Sequence, residues 1–258
     1  MTALGTAVSA STPSAADTSH GTLIFEDNFN SLALGTTWVT GMWGYDTSSP
    51  DLEQQLYRSA NETVSGGILT LTAKTENATT SWPGYSGKVF PRTSGMISSD
   101  PDHVTPGFTF TYGYVESRIQ IPPTAAGQGR GFWPALWMMA RDGSPGLGEI
   151  DIMEILGDRP DIHHMNYHGS FNAGASYTSP VSLALDYHLY AVDWRAGSIV
   201  WYLDGVERFR VTNVAVSSSP HYLILNLAVG DVGSWPGPPD GTTVFPNTML
   251  IDYVRVWQ

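Results

Sequence analysis

Cysteine is absent from the 258 residues, and Lys and Arg together number 12 against 24 Asp and Glu. The first absence excludes disulfide staples and thiolate chemistry. It does not exclude secretion, because a chain of this length can bury a full two-sheet core unaided. The second leaves a formal net charge of −12, which repels DNA, RNA and acidic membranes and makes neutral partners the natural expectation. No apolar run approaches the ~18 residues of a membrane span. Convincing amphipathic helices are missing as well, as are internal repeats and any composition break that would mark a second domain. Residues 1–20 hold no Lys or Arg and no long apolar stretch, so they lack the parts of a complete signal peptide. Their Ala, Ser and Thr content predicts a disordered export or linker remnant, followed by one domain over 21–258.

What is present is turn chemistry and aromatic mass: 27 Gly, 17 Pro and 12% aromatic residues. About a dozen short stretches of strand character, such as "GGILTLTAKT", "YGYVESRIQIP" and "HYLILNLAVG", are separated by Gly, Pro, Asp, Asn and Ser. "YLDGVE" carries an Asp-Gly hairpin signal. This pattern predicts an all-β sandwich or jelly roll. Two sequons, at Asn61 and Asn77, mark glycosylation sites for a eukaryotic secretory host.

The stretch "GEIDIMEI" places Glu149, Asp151 and Glu154 among Ile, Met and Gly. A helix would set Glu149 and Glu154 roughly 140° apart, so the acids would not converge. A regular strand puts Glu149 and Asp151 on one face and Glu154 on the other. One inserted residue, either Ile152 or Met153, forms a β-bulge and returns Glu154 to the shared face. A Glu–Asp–Glu row of this kind holds the outer carboxylates near the ~5–5.5 Å of a retaining glycosidase. Mutual repulsion keeps one acid protonated while a neighbour stays ionised, the division of labour that glycoside hydrolysis requires. The alternatives are a solvated strand face and a Ca²⁺ site.

"GEIDIMEILG", with "WPALWMM" upstream, resembles the signature of glycoside hydrolase family 16, in its bulged, laminarinase-like branch. "YHLYAVDW", "SIVWYLDGVE", "LILNLAVG", "SWPGPPD" and "FPNTMLIDYVRVWQ" extend the resemblance over roughly residues 22–258. It implies a concanavalin-like β-jelly-roll sandwich of two curved antiparallel sheets, with a substrate cleft on the concave face. The implied activity is a secreted, monomeric endo-β-1,3-glucanase, acting also on mixed-linkage β-1,3-1,4-glucan, with retention and without a catalytic cofactor. The partner is then a neutral β-glycan, with no nucleic acid and no membrane. Galactan hydrolysis of the agarase or carrageenase type and non-catalytic β-glucan binding are the competing readings.

Carried over by position, Glu149 becomes the nucleophile, Glu154 the general acid/base, and Asp151 the group that tunes Glu149. Glu116 and Arg118, two apart on one strand, share a face that the family places in the cleft. Trp133, Trp137 and the loop residue Trp235 offer rings on which a pyranose stacks. Asn166 and His168 become neighbours of the acid/base, and Gln55 takes a position at the far end of the cleft. A transition-metal site at His163, His164 and His168 is disfavoured, since His163 faces opposite the other two. Many family members hold a structural Ca²⁺ on the convex side, and the matching positions are Asn28, the Gly67 carbonyl and Asp252.

Overall fold

Apolar and polar residues alternate along most strands, and the sheets sort them to opposite faces. The computed structural model describes residues 20–42, 46, 49–141 and 147–258. Among them the elements are β1 (Leu23–Asp27), β2 (Val39–Thr40), β3 (Gln55–Tyr57), β4 (Glu62–Ser65), β5 (Ile68–Thr79) and β6 (Val89–Ser94). There follow β7 (Met96–Ser98), β8 (Gly113–Gln120), β9 (Phe132–Ala140), β10 (Glu149–Glu154), β11 (Ile162–His168) and β12 (Asn172–Thr178). The chain continues with β13 (His188–Arg195), β14 (Ser198–Leu203), β15 (Val206–Thr212), β16 (His221–Val229) and β17 (Asn247–Trp257). A 3-10 turn lies at Ser59–Asn61, and no α-helix occurs among the described residues. The expected disordered segment lies, but for His20, outside the described residues.

One sheet has seven strands in the order β12-β11-β10-β9-β16-β7-β2. The other has ten: β15-β14-β13-β8-β17-β5-β6-β3, with β1 against β17 and β4 against β5. Pairing is antiparallel except for β3 and β6, which run parallel. The β14–β15 hairpin turns at Asp204 and Gly205, both with positive φ (52° and 73°), as the Asp-Gly signal requires.

Between the sheets lies one core. Val115, Ile119, Trp194 and Trp201 of the ten-stranded sheet pack against Leu136, Met138, Ile150, Ile152 and Met153 of the seven-stranded one. The seven-stranded sheet is apolar on its other face as well. There Met96, Met139, Tyr222 and Ile224 form a second cluster with Met42 and Tyr57, and Trp137 packs against it. That second cluster underlies the cleft.

The fold overturns several expectations. On β8, Val115, Ser117 and Ile119 are fully buried and point into the core. Glu116 and Arg118 therefore project from the outer face of the ten-stranded sheet, on the side of the sandwich opposite the acids. Glu116 accepts bonds from the hydroxyls of Tyr253 (2.7 Å) and Tyr114 (3.3 Å). Arg118 pairs with Asp252 at 2.7 Å and lies over the Tyr187 ring. The same contact undoes the Ca²⁺ expectation. Asp252 is spent on that guanidinium, and the Asn28 amide oxygen accepts from Arg255 at 3.2 Å. Gly67 does lie beside the Asn28 carbonyl, 3.6 Å from where a Cβ would stand. The donor set still does not fit a hard cation, since its one carboxylate is already neutralised. Asn61 is buried and bonded to the Thr72 carbonyl and the Thr93 hydroxyl, so it is no glycan acceptor, whereas Asn77 is exposed.

Candidate active site

Strand β10 carries the acids and is irregular against both neighbours. Against β11, Asp151 faces Asn166 and Glu154 faces His164, so three steps on β10 span two on its partner. Against β9, Asp151 faces Trp137 and Met153 faces Leu136. Ile152 has a partner on neither side and is the inserted residue. The bulge brings Glu149, Asp151 and Glu154 to one cavity of about 240 Å³ on the outer face of the seven-stranded sheet.

Each acid has its own surroundings. Glu154 is buried and holds two donors: the Trp133 indole at 3.0 Å on one oxygen and the Asn166 amide at 2.7 Å on the other. Burial raises its pKa and the Glu149 charge adds to that, while the two bonds and His168 act in the opposite direction. Asp151 is more deeply enclosed. Burial and the charges of Glu154 and Glu149 push its pKa well above the carboxylate range. It hydrogen-bonds to Glu149, whose own pKa is raised by burial and lowered by that bond. The larger upward push on Asp151 favours it as the donor of that bond and Glu149 as the acceptor. His168 stands 3.4 Å from Asp151 on the open side. Ligand atoms of Glu149, Asp151 and His168 lie within 4.8 Å of one another.

The cavity floor is Ala135, Trp137, Met139, Asn226 and Ala228, with Met42 and Glu53 toward one end. Trp137 is fixed by its indole N–H to the Asn226 carbonyl oxygen at 2.8 Å, and the Asn226 amide donates to the Tyr57 hydroxyl at 3.1 Å. At the other end Trp235 is 49% exposed and stands edge-on to both Trp133 and His164.

Eight residues picked from the sequence thus come together: Glu149, Asp151, Glu154, Trp133, Trp137, Asn166, His168 and Trp235. Gln55 does not reach the cavity. It is fully buried, donating to Glu53 at 2.6 Å and accepting from the Val229 N–H at 2.7 Å, so it supports a wall residue instead. Glu53 and Asn226 were not singled out from the sequence. Glu53 lies two positions before Gln55, on a stretch too short to show alternation. Asn226, a lone amide inside the apolar run of β16, was the one available signal.

The family model described as glycosyl hydrolases family 16 matches residues 52–255. The chain belongs to glycosyl hydrolase family 16. Among family relatives, the glucan endo-1,3-beta-glucosidase A1 of Niallia circulans is 33% identical, over 92% of this chain and 38% of that protein. The chain thus spans well under half of that relative's length. The beta-glucanase of Rhodothermus marinus is 32% identical, over 93% of this chain and 86% of that protein. Among solved structures, the endo-beta-1,3-glucanase from Pyrococcus furiosus superposes with a TM-score of 0.75 at 32% identity, covering 91% of this chain and 93% of that one. Family 16 is a family of O-glycoside hydrolases, and two acids serving one bond is the arrangement such an enzyme needs.

Proposed function

We propose that this chain is a secreted, endo-acting, retaining hydrolase of β-1,3-glucan of the laminarin type, able also to cut mixed-linkage β-1,3-1,4-glucan. The observation that carries it is the unequal equipment of the two glutamates on one face. Glu149 accepts a hydrogen bond from Asp151, which lowers its pKa against the effect of burial and favours the ionised form needed for attack. Burial raises the pKa of Glu154, which favours the protonated form that the leaving oxygen needs. In the first step Glu154 protonates the glycosidic oxygen while Glu149 bonds to the anomeric carbon and the C–O bond breaks. In the second, ionised Glu154 takes a proton from water, the water oxygen replaces Glu149, and the configuration is retained.

A neutral glycan suits the cavity, since no Lys or Arg lines it among the described residues and the chain carries −12. A sulfated galactan would meet carboxylates without a counter-charge. Trp133, Trp137 and Trp235 supply apolar ring surface for pyranoses. The β-1,3 linkage is favoured by the relatives named above, and the exposed lip formed by Trp235 fits a cleft open to a polymer.

The test is reducing-sugar release from laminarin, lichenan and agarose by wild type and Glu149→Ala. Wild type is expected to act on laminarin, with the variant down by at least about 10³-fold. Activity on agarose alone would replace the substrate. Equal activity of the two proteins would remove Glu149 from the nucleophile role.

A further inference from the structure

The bulge that unites the acids is held by two side chains outside the cavity. The Trp201 indole on β14, in the opposite sheet, donates to the Asp151 carbonyl at 2.8 Å. Nε2 of His163 on β11 bonds the Ile152 carbonyl at 2.9 Å. These are the consecutive carbonyls on either side of the point where the ladder loses step. Both side chains are fully buried. The Trp201 ring stacks on Phe209 at 5.1 Å, and the His163 ring stands edge-on to Tyr190 at 5.2 Å, so neither can swing away. The carbonyl acceptor requires His163 to carry its proton on Nε2, and Nδ1 has no hydrogen-bond partner among the described residues. The ring is therefore a neutral, single-purpose donor.

We propose that His163 and Trp201 are positioning residues which hold Glu154 in register with Glu149 by clamping the Asp151 and Ile152 carbonyls. The reason lies in the period of a strand. Glu149 and Ile150 are in step with both neighbours, facing His168 and Tyr167 on one side and Met139 and Met138 on the other. Glu154 lies beyond the inserted residue. A bulge that relaxes or migrates past it turns Glu154 toward the core and leaves Glu149 where it was. The clamp thus acts on the acid/base and spares the nucleophile.

This inference rests on the retaining-hydrolase reading, and its test separates the two. The variants are Trp201→Phe, which keeps the ring stack and removes the donor, His163→Leu, which removes the other donor, and His163→Gln, which restores one. All are compared well below their melting temperatures. On laminarin, Trp201→Phe and His163→Leu are expected to lose about 10²-fold in kcat, as a misplacement near 1 Å does, with KM within about twofold. His163→Gln recovers most of that. On a 2,4-dinitrophenyl β-glucoside oligomer the first step needs no proton donor. Azide added to the two impaired variants should then attack the glycosyl-enzyme carbon, displace Glu149 and give the β-glycosyl azide, restoring turnover.

A second readout needs no substrate. The ¹⁵N–¹H signal of the Trp133 indole reports its bond to Glu154, and it should move in Trp201→Phe and His163→Leu but not in His163→Gln. Unchanged kcat and an unmoved Trp133 signal in folded variants would overturn the proposal. So would a loss that azide does not restore, since that is general loosening. An inactive wild type whose Trp133 signal moves as expected would sink the hydrolase reading and leave the clamp standing.

Discussion

Glu154 shows how much one side chain depends on the groups that touch it. Its two oxygens accept from Trp133 and Asn166, and both bonds favour the ionised form against burial. Replacing Asn166 by Ala removes one of them, so the pKa of Glu154 rises further. A general acid with a higher pKa stays protonated to higher pH. The alkaline limb of kcat/KM for Asn166→Ala should therefore move upward, while kcat falls by about ten- to a hundredfold from the lost charged hydrogen bond. A pH–rate profile of both proteins checks it, and a limb that moves downward would contradict the assignment of Glu154 as the acid. At this scale the sequence was highly legible. Three acids in an apolar strand with broken spacing left the bulge as the way to bring them together, and the ladder chose Ile152 over Met153. Gln55 was misread because a polar residue in a strand looks alike whether it faces a sugar or a buried carboxylate.

Among the elements, the informative joint is Glu62 of β4. It accepts from the Thr40 hydroxyl on β2 at 2.8 Å and from the Met96 N–H on β7, so one carboxylate ties the ten-stranded sheet to the edge of the seven-stranded one. Burial pushes its pKa from 4.5 up to about 7. A carboxyl raised in the fold contributes stability below its unfolded pKa and loses it as pH rises through the folded value. At about 1.4 kcal/mol per pH unit, ionising Glu62 costs about 3 kcal/mol above pH 7. Glu62→Gln should thus gain on wild type between pH 4.5 and 8, as read by melting temperature at matched ionic strength. A constant gap between the two proteins would show that Glu62 does not titrate in that range. Alternation alone could not have placed β8, because the two sheets share one core. Each strand shows an apolar face to it, and the polar face of Glu116 and Arg118 reads the same on either side of the sandwich.

For the whole molecule, charge and shape are divided between two outer faces. One holds the acid-lined cavity, and the other holds Arg118, Arg255 and the tyrosines around Glu116. Arg118→Ala should leave kcat/KM on laminarin unchanged and alter stability by no more than about 1 kcal/mol, since its ion pair is partly exposed. A fall in kcat/KM of tenfold or more would return Arg118 to the substrate path. Sheet order was the least legible level, because it is set by long-range pairing that no local pattern encodes. Its most consequential feature is the place of β17, which lies between β8 and β5 and also pairs with β1. Ribosomes deliver this strand after the other strands described, so until it arrives β8 and β5 each present an unpaired edge. A polypeptide cut short before Asn247 is consequently not a smaller version of the protein. It is an open template for intermolecular pairing, and aggregation or degradation awaits it rather than partial function.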